Sequence, residues 1–152
     1  MVEAATQADA PKQAGGPRRH VFHAQVRFAD LDPLNHVNNV RMLTYLEDAR
    51  IAFLRPDSGS GRPSPFGGLV VARHEIDYLK PILLRSDPVR VETRVTEVRN
   101  ASFRLAYEIC DDDHVYARAI SVLVGYDVQG QSIRRLDQDE RDYLDDFLLP
   151  EG

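Results

Sequence analysis

The stretch Arg27-Phe-Ala-Asp-Leu-Asp-Pro-Leu-Asn-His-Val-Asn-Asn-Val40 places two carboxylates, an imidazole and several amides immediately ahead of a helical pattern. A helix N-terminus presents unpaired N–H groups and a partial positive charge. Such donors can hold a developing oxyanion. A carboxylate beside them can attack a carbonyl or activate a water. The combination suits hydrolysis of an activated acyl group. The same residue types also have a plainer use, because Asp and Asn before a helix commonly cap it. Asp30 is read that way, as a structural carboxylate, and a single histidine is more often packed or hydrogen-bonded than a base.

Elements must hold these groups in place. Residues 21–28 alternate loosely, with Phe22, Ala24, Val26 and Phe28 set against Val21, His23, Gln25 and Arg27, which predicts a strand. Residues 29–39 form a loop dense in Asp and Asn. Over 40–54 the apolar residues Met42, Tyr45, Leu46, Ala49 and Phe53 recur at steps of three and four, which predicts a helix. Val40, Leu43 and Leu54 broaden its apolar face, so other structure is expected to wrap it. Arg55-Pro56 stops the helix, and 57–68 reads as a Gly/Ser/Pro loop. Four strand-like runs follow at 69–79, 89–98, 102–110 and 115–126, with short turns that imply antiparallel hairpins. A last amphipathic segment, 138–149, is expected to be helical with Asp137 as its cap. Helix and sheet are segregated along the chain, so the class is α+β.

The 152 residues fit one domain, 19–149, behind a tail, 1–18, whose Ala, Gln, Gly and Pro content predicts disorder. Apolar residues at 43% and charged residues at 28% give an ordinary globular balance. A net charge of −5 without a basic stretch argues against a nucleic-acid partner. No run approaches the roughly 20 apolar residues of a membrane span. The N-terminus also lacks the apolar core of a secretory signal. The one cysteine, Cys110, cannot form a disulfide within the chain, in keeping with the cytoplasm. Asp111, Asp112 and Asp113 follow it and should raise its thiol pKa, so it is read as structural. No Cys/His cluster offers a metal site, and no cofactor is expected.

Phe28-Ala-Asp-Leu-Asp-Pro-Leu-Asn-His-Val-Asn-Asn39, followed by Tyr45-Leu-Glu-Asp-Ala-Arg50, resembles the opening signature of the 4-hydroxybenzoyl-CoA thioesterase family. The runs Val70-Val-Ala-Arg-His-Glu-Ile-Asp-Tyr-Leu-Lys-Pro-Ile82, Asp87-Pro-Val-Arg-Val-Glu-Thr93 and Ser102-Phe103 continue the likeness, which covers about 22–126. The resemblance implies a single hotdog domain, in which a curved antiparallel sheet of about five strands wraps one long helix. It implies an acyl-CoA substrate and a homodimer or homotetramer with the cleft between subunits. It places the catalytic carboxylate on Asp32, with His36 and Asn38 orienting water or thioester and Asn35, Val37, Asn39 and Tyr78 around the substrate. Asn35 stands where the family usually has Gly. Asn also tolerates the left-handed backbone, so the turn can form.

Other residues rank lower. Glu47 and Arg50, three apart on the helix, are expected to pair, and Glu47 is a second choice for the base. His74 and Tyr78 flank Ile76 on one strand face, in the core or at an interface. Lys80, Arg85, Arg99 and Arg104 are candidates for the phosphates of coenzyme A or ordinary surface charges. Two rival functions stay open: a non-catalytic acyl-CoA-binding module, and a hotdog dehydratase, whose motif this chain fits poorly.

Overall fold

The computed structural model describes residues 7–9, 18–55 and 64–149. In chain order the elements are β1 (Gln7–Asp9), β2 (His20–Ala24), a 3-10 turn (Phe28–Asp30), α1 (Asn39–Leu54) and β3 (Leu69–Tyr78). They continue as β4 (Val89–Val98), β5 (Ser102–Cys110), β6 (Val115–Asp127), β7 (Ser132–Ile133) and α2 (Gln138–Asp145). The strands form one antiparallel sheet in the order β1-β2-β4-β5-β6-β3, with β7 added on β6.

Alternation decides which face is the core. Val89, Val91 and Val95 of β4, Phe103, Leu105, Tyr107 and Ile109 of β5, and Ala117, Ala119 and Leu123 of β6 are all buried on one face. Met42, Tyr45, Leu46, Ala49 and Phe53 of α1 are buried too, at the helical spacing read from the sequence. Each large side chain removed from water contributes about 1.5–3 kcal/mol, so this seam is what holds α1 to the sheet. The α+β class is as expected, but the helix is not wrapped on every side. It packs on β2 and β4, and Val40 and Ile51 remain exposed.

Other expectations shift. The sheet has seven strands rather than about five, and a second helix accompanies α1, which is 16 residues long. The first core strand ends at Ala24, not at residue 28, because the Asp30 carboxylate accepts from the Arg27 amide and winds the chain into the 3-10 turn. The last helix does start at its Asp137 cap, but it ends at Asp145 instead of 149. Beyond it the chain pairs with β4, where the Leu149 amide donates to the Val95 carbonyl. Most of the 1–18 tail lies outside the described residues, as do 56–63 of the expected loop. The backbone of Gln7–Asp9 pairs with β2.

Glu140 ties the end of the chain to the start of β3. It is fully buried and accepts from both terminal nitrogens of Arg134 and from the Gly67 and Asp137 amides. These bonds outweigh the burial that would raise its pKa, and hold it below the ordinary value.

Candidate active site

The site is built on a turn. The Asp32 carbonyl accepts from the Asn35 amide at 2.9 Å, and the Asp32 amide donates to the His36 carbonyl at 2.8 Å. Leu31 and Val37 bridge behind it. Pro33 supplies a preset φ at the second turn position. Asn35 takes φ 62°, the left-handed conformation that glycine usually fills, so the turn forms with Asn in that place. The Asp32 carboxylate accepts from the Leu34 amide at 2.9 Å and more weakly from the His36 amide at 3.4 Å, both through Oδ1. Its Oδ2 has no protein donor among the described residues.

The turn then docks and becomes a helix. The Val37 amide donates to the Ile82 carbonyl at 2.8 Å, and His36 bridges Leu83. The Asn38 amide reaches the Asp30 carbonyl at 2.8 Å. Asn38 caps α1: its side-chain oxygen accepts from the Val40 amide at 2.8 Å, and its carbonyl takes the Arg41 and Met42 amides. That leaves the Asn39 N–H as the first-turn amide without an acceptor among the described residues.

A cleft of about 400 Å³ opens over these atoms. Asp32, His36, Val37 and Asn39 line one side, with Tyr78 on the other, so five of the seven site residues read from the sequence meet there. Asn35 and Asn38 sit behind it as turn and cap. Met42, Leu79, Lys80 and Pro81 complete the walls. Lys80 was already a candidate for the coenzyme A phosphates; no short-range pattern marked Met42, Leu79 or Pro81 for this place, and for Leu79 and Pro81 the family-like run ending at Ile82 was the available signal. Tyr78 donates its hydroxyl to the Asn39 carbonyl at 3.1 Å, joining β3 to the start of α1. A second concavity, of about 390 Å³, lies on the sheet's outer face among charged residues such as Glu75, Arg94 and Arg118, away from every candidate residue.

Asp30 faces inward. It is 1% exposed, receives Arg27 at 2.9 Å and accepts the Tyr45 hydroxyl at 2.6 Å. Burial raises its pKa, but the bonds from Arg27 and Tyr45 outweigh that and leave it below the ordinary carboxylate value. Burial, then the bond to Asp30, pushes the Tyr45 hydroxyl well above its usual range.

The segment 79–88, on which the turn docks, has its own anchors. Leu79 and Lys80 donate their amides to the Tyr116 carbonyl. Arg85 donates to Asp111 at 2.7 Å and to the Tyr116 hydroxyl at 3.0 Å, and the Tyr116 hydroxyl also bonds Asp111. Hydrogen bonds from Tyr116 and Arg85 hold the Asp111 carboxyl far below the usual range. Arg85 is therefore engaged as a clamp and Arg99 pairs with Glu97, which leaves Lys80 as the basic side chain at the cleft. Arg104 is not a simple surface charge, since its Nε is buried without a partner.

Glu47 and Arg50 do not form the ion pair their spacing suggests, because Arg50 turns inward and Glu47 stays exposed. Cys110 is buried, with its thiol pKa pushed up to about 11 by burial and then by Glu92. The direction is as expected, but the carboxylates responsible lie on the strands and not in the following turn. Among the described residues no three His, Cys, Asp or Glu side chains are grouped to hold a metal ion.

The chain is thus an antiparallel sheet packed on α1, with Asp32 and the start of that helix lining one cleft. Residues 26–147 match the thioesterase-like superfamily, and the chain belongs to it. It is a thioester hydrolase. A thioesterase from Thermus thermophilus, solved in complex with coenzyme A and Zn, is 35% identical with a TM-score of 0.69, covering 87% of this chain and 94% of that one. The YbaW probable thioesterase of Escherichia coli is 26% identical, TM-score 0.70, over 84% and 97% of the two chains. Slr0204, a 1,4-dihydroxy-2-naphthoyl-CoA thioesterase from Synechocystis, shares the fold at 20% identity, TM-score 0.69, over 84% and 96%. No curated protein matches the chain.

Proposed function

We propose that this chain hydrolyses an acyl-CoA thioester to the free acid and coenzyme A, with Asp32 as nucleophile or general base. One observation carries the reading: Asp32, whose Oδ2 has no donor among the described residues, and Asn39, whose N–H at the start of α1 is unengaged among them, line the same cleft. The thioester carbonyl accepts from that N–H, where the helix dipole favours negative charge. Asp32 then attacks the carbonyl carbon, the thiolate of coenzyme A leaves and takes up a proton, and water cleaves the mixed anhydride to restore the carboxylate. In the alternative route Asp32 removes a proton from the attacking water. His36 beside it orients that water. Asn35 and Asn38 act by fixing the turn and the cap, and Val37 and Tyr78 form the walls. Lys80 at the rim meets the phosphates of coenzyme A. On this reading the reaction draws on side chains, backbone and water without a cofactor, in a cytoplasmic protein. Among the described residues no helix is long and apolar enough to cross a membrane.

We further read the working unit as a homodimer or homotetramer. β3 lies at the sheet edge, exposed along nearly its whole length, and an unpaired edge is a template for another strand. Leu34, Val40, Leu83 and Leu84 expose apolar surface on the segments around the cleft. Light scattering at micromolar concentration should show a dimer or larger, and a monomer would count against a shared cleft.

The functional test is thiol release from short, medium, long and aromatic acyl-CoAs, run beside Asp32→Asn. Release that disappears in the variant supports the assignment. Undiminished release in the variant sinks Asp32 as the catalytic group, and binding without release from any substrate points to a non-catalytic binding module.

A further inference from the structure

α1 and β3 approach each other at two places. At one end Tyr78 donates to the Asn39 carbonyl. Further along, Glu47 and Arg50 of α1 come within electrostatic reach of His74 of β3. The two elements agree on the distance. Tyr78 to His74 spans about 13 Å of strand, and Asn39 to Glu47 about 12 Å of helix. Asn39, Leu43, Glu47 and Arg50 make a stripe at helical steps. His74, Ile76 and Tyr78 pair with Ser121, Ala119 and Ala117, whose side chains are buried, so all three lie on the inner face of the sheet. α1 makes its main contacts with β2 and β4, and Leu43 of α1 and Ile76 of β3 are both half-buried against the core.

The second place is polar. Arg50 is only 8% exposed, yet its guanidinium has no ion pair and no hydrogen bond among the described residues. His74 holds Ser121 through Nδ1 at 2.7 Å, which fixes the ring and leaves Nε2 open. Burial, then the charge of Arg50, lowers the His74 pKa against the opposing pull of Glu47. A neutral imidazole thus sits beside a buried cation. Its N–H donors are uncommitted among the described residues, and the guanidinium fork is the geometry that takes a carboxylate with two parallel bonds.

We propose that Arg50, assisted by His74, receives a carboxylate at the distal end of the acyl group, so that the chain prefers medium-length acyl-CoA thioesters bearing a terminal carboxylate. The inference rests on the hydrolase reading above and on an acyl chain that lies between α1 and β3.

The test compares kcat/KM for the CoA monothioester of sebacic acid with that for decanoyl-CoA, which differ only at the far terminus. Wild-type enzyme should favour the carboxylated substrate by about tenfold to a hundredfold, the range of a hydrogen bond to a charged group. Arg50→Gln should erase the preference while keeping decanoyl-CoA turnover, and His74→Gln, on the exposed edge strand, should reduce it. Equal or better use of decanoyl-CoA by the wild type overturns the proposal, whatever the variants do. So does a preference that survives in Arg50→Gln. An equal loss on both substrates together with dissociation to monomers assigns Arg50 to a subunit contact and overturns it as well. Should neither substrate be hydrolysed, the hydrolase reading fails; calorimetric binding of the two compounds still reads the carboxylate preference independently.

Discussion

Asp30 and Asp32 stand two residues apart with the same side chain, and the fold uses them in opposite ways. Asp30 is sealed in the interior, with every approach taken by Arg27 and the Tyr45 hydroxyl. Asp32 sits at the cleft, uses one oxygen to brace its own turn and leaves the other open. The difference comes from the 3-10 turn at Phe28–Asp30, which rotates one carboxylate toward α1 and hands the next to the loop. A carboxylate fully engaged with donors is a poor nucleophile but a strong anchor. One with a free oxygen at an open cleft is the group we propose for the chemistry.

The largest effect should come from Asp32→Asn. Asn keeps an oxygen for the Leu34 amide, so the turn survives, but the nucleophile or base is gone. We expect kcat to fall by about 10²–10⁴-fold, with a thermal midpoint close to wild type by calorimetry. A parallel collapse of the fold would erase the distinction between the two residues. Asp30→Asn should do the reverse. Removing the buried charge strands Tyr45 and loosens Arg27, at a cost of about 3 kcal/mol in urea unfolding. The Asn38 amide bonds the Asp30 carbonyl, not its side chain, so kcat per folded molecule should change less than in Asp32→Asn. A stable but inactive Asp30→Asn would mean that the inner carboxylate takes part in the reaction.

The pH dependence sharpens the same contrast. The folded-state pKa values of Asp30, Asp111 and Glu140 are all lowered. Their stabilisation is therefore present above the unfolded carboxylate value of about 4 and is lost as pH falls through the folded values. Stability measured from pH 6 downward should stay level and then drop below about pH 4. Asp30→Asn should start lower and fall less steeply, because one of the three linked protons is missing. An unchanged slope would show that Asp30 is not held ionised by its partners.

The sequence pointed to Asp30 as a structural carboxylate, in agreement with its burial, but not to the partners that hold it. The alternation of β4, β5 and β6 and the helical spacing of α1 are local patterns, and local patterns fix which face is buried. The Asn-rich loop before α1, with its family-like signature, pointed to the residues that line one side of the cleft. What the sequence withheld is long-range. Nothing local says that Tyr45 reaches back to Asp30, that residues 79–81 supply the opposite wall, or that Asp111 and Tyr116 clamp Arg85 beneath the docking segment. The premature end of β2 had the same origin, since Phe28 fits the alternation but the Asp30 side chain competes for the backbone. Arg50 shows the failure from the other direction. Its spacing from Glu47 allowed a surface ion pair, and packing drew the guanidinium inward instead.

The smallest predicted effect concerns the hinge between the two carboxylates. Asn35 holds φ 62°, where a β-carbon is tolerated only with strain and Gly sits at ease. Asn35→Gly removes that strain at the expense of a looser unfolded chain, so the two terms nearly cancel and stability should move by less than about 0.5 kcal/mol. Asn35→Ala keeps the β-carbon and loses the side chain that makes the left-handed region accessible, for a loss of about 1 kcal/mol. That strain falls between the Asp32 carbonyl and the His36 amide, so it should appear in kcat more than in KM. Asp30, held by Arg27 and Tyr45 on the far side of the turn, should keep its acid-dependence unchanged in both variants. If Asn35→Ala altered the acid slope as well as kcat, the two carboxylates would have to be treated as one mechanical unit.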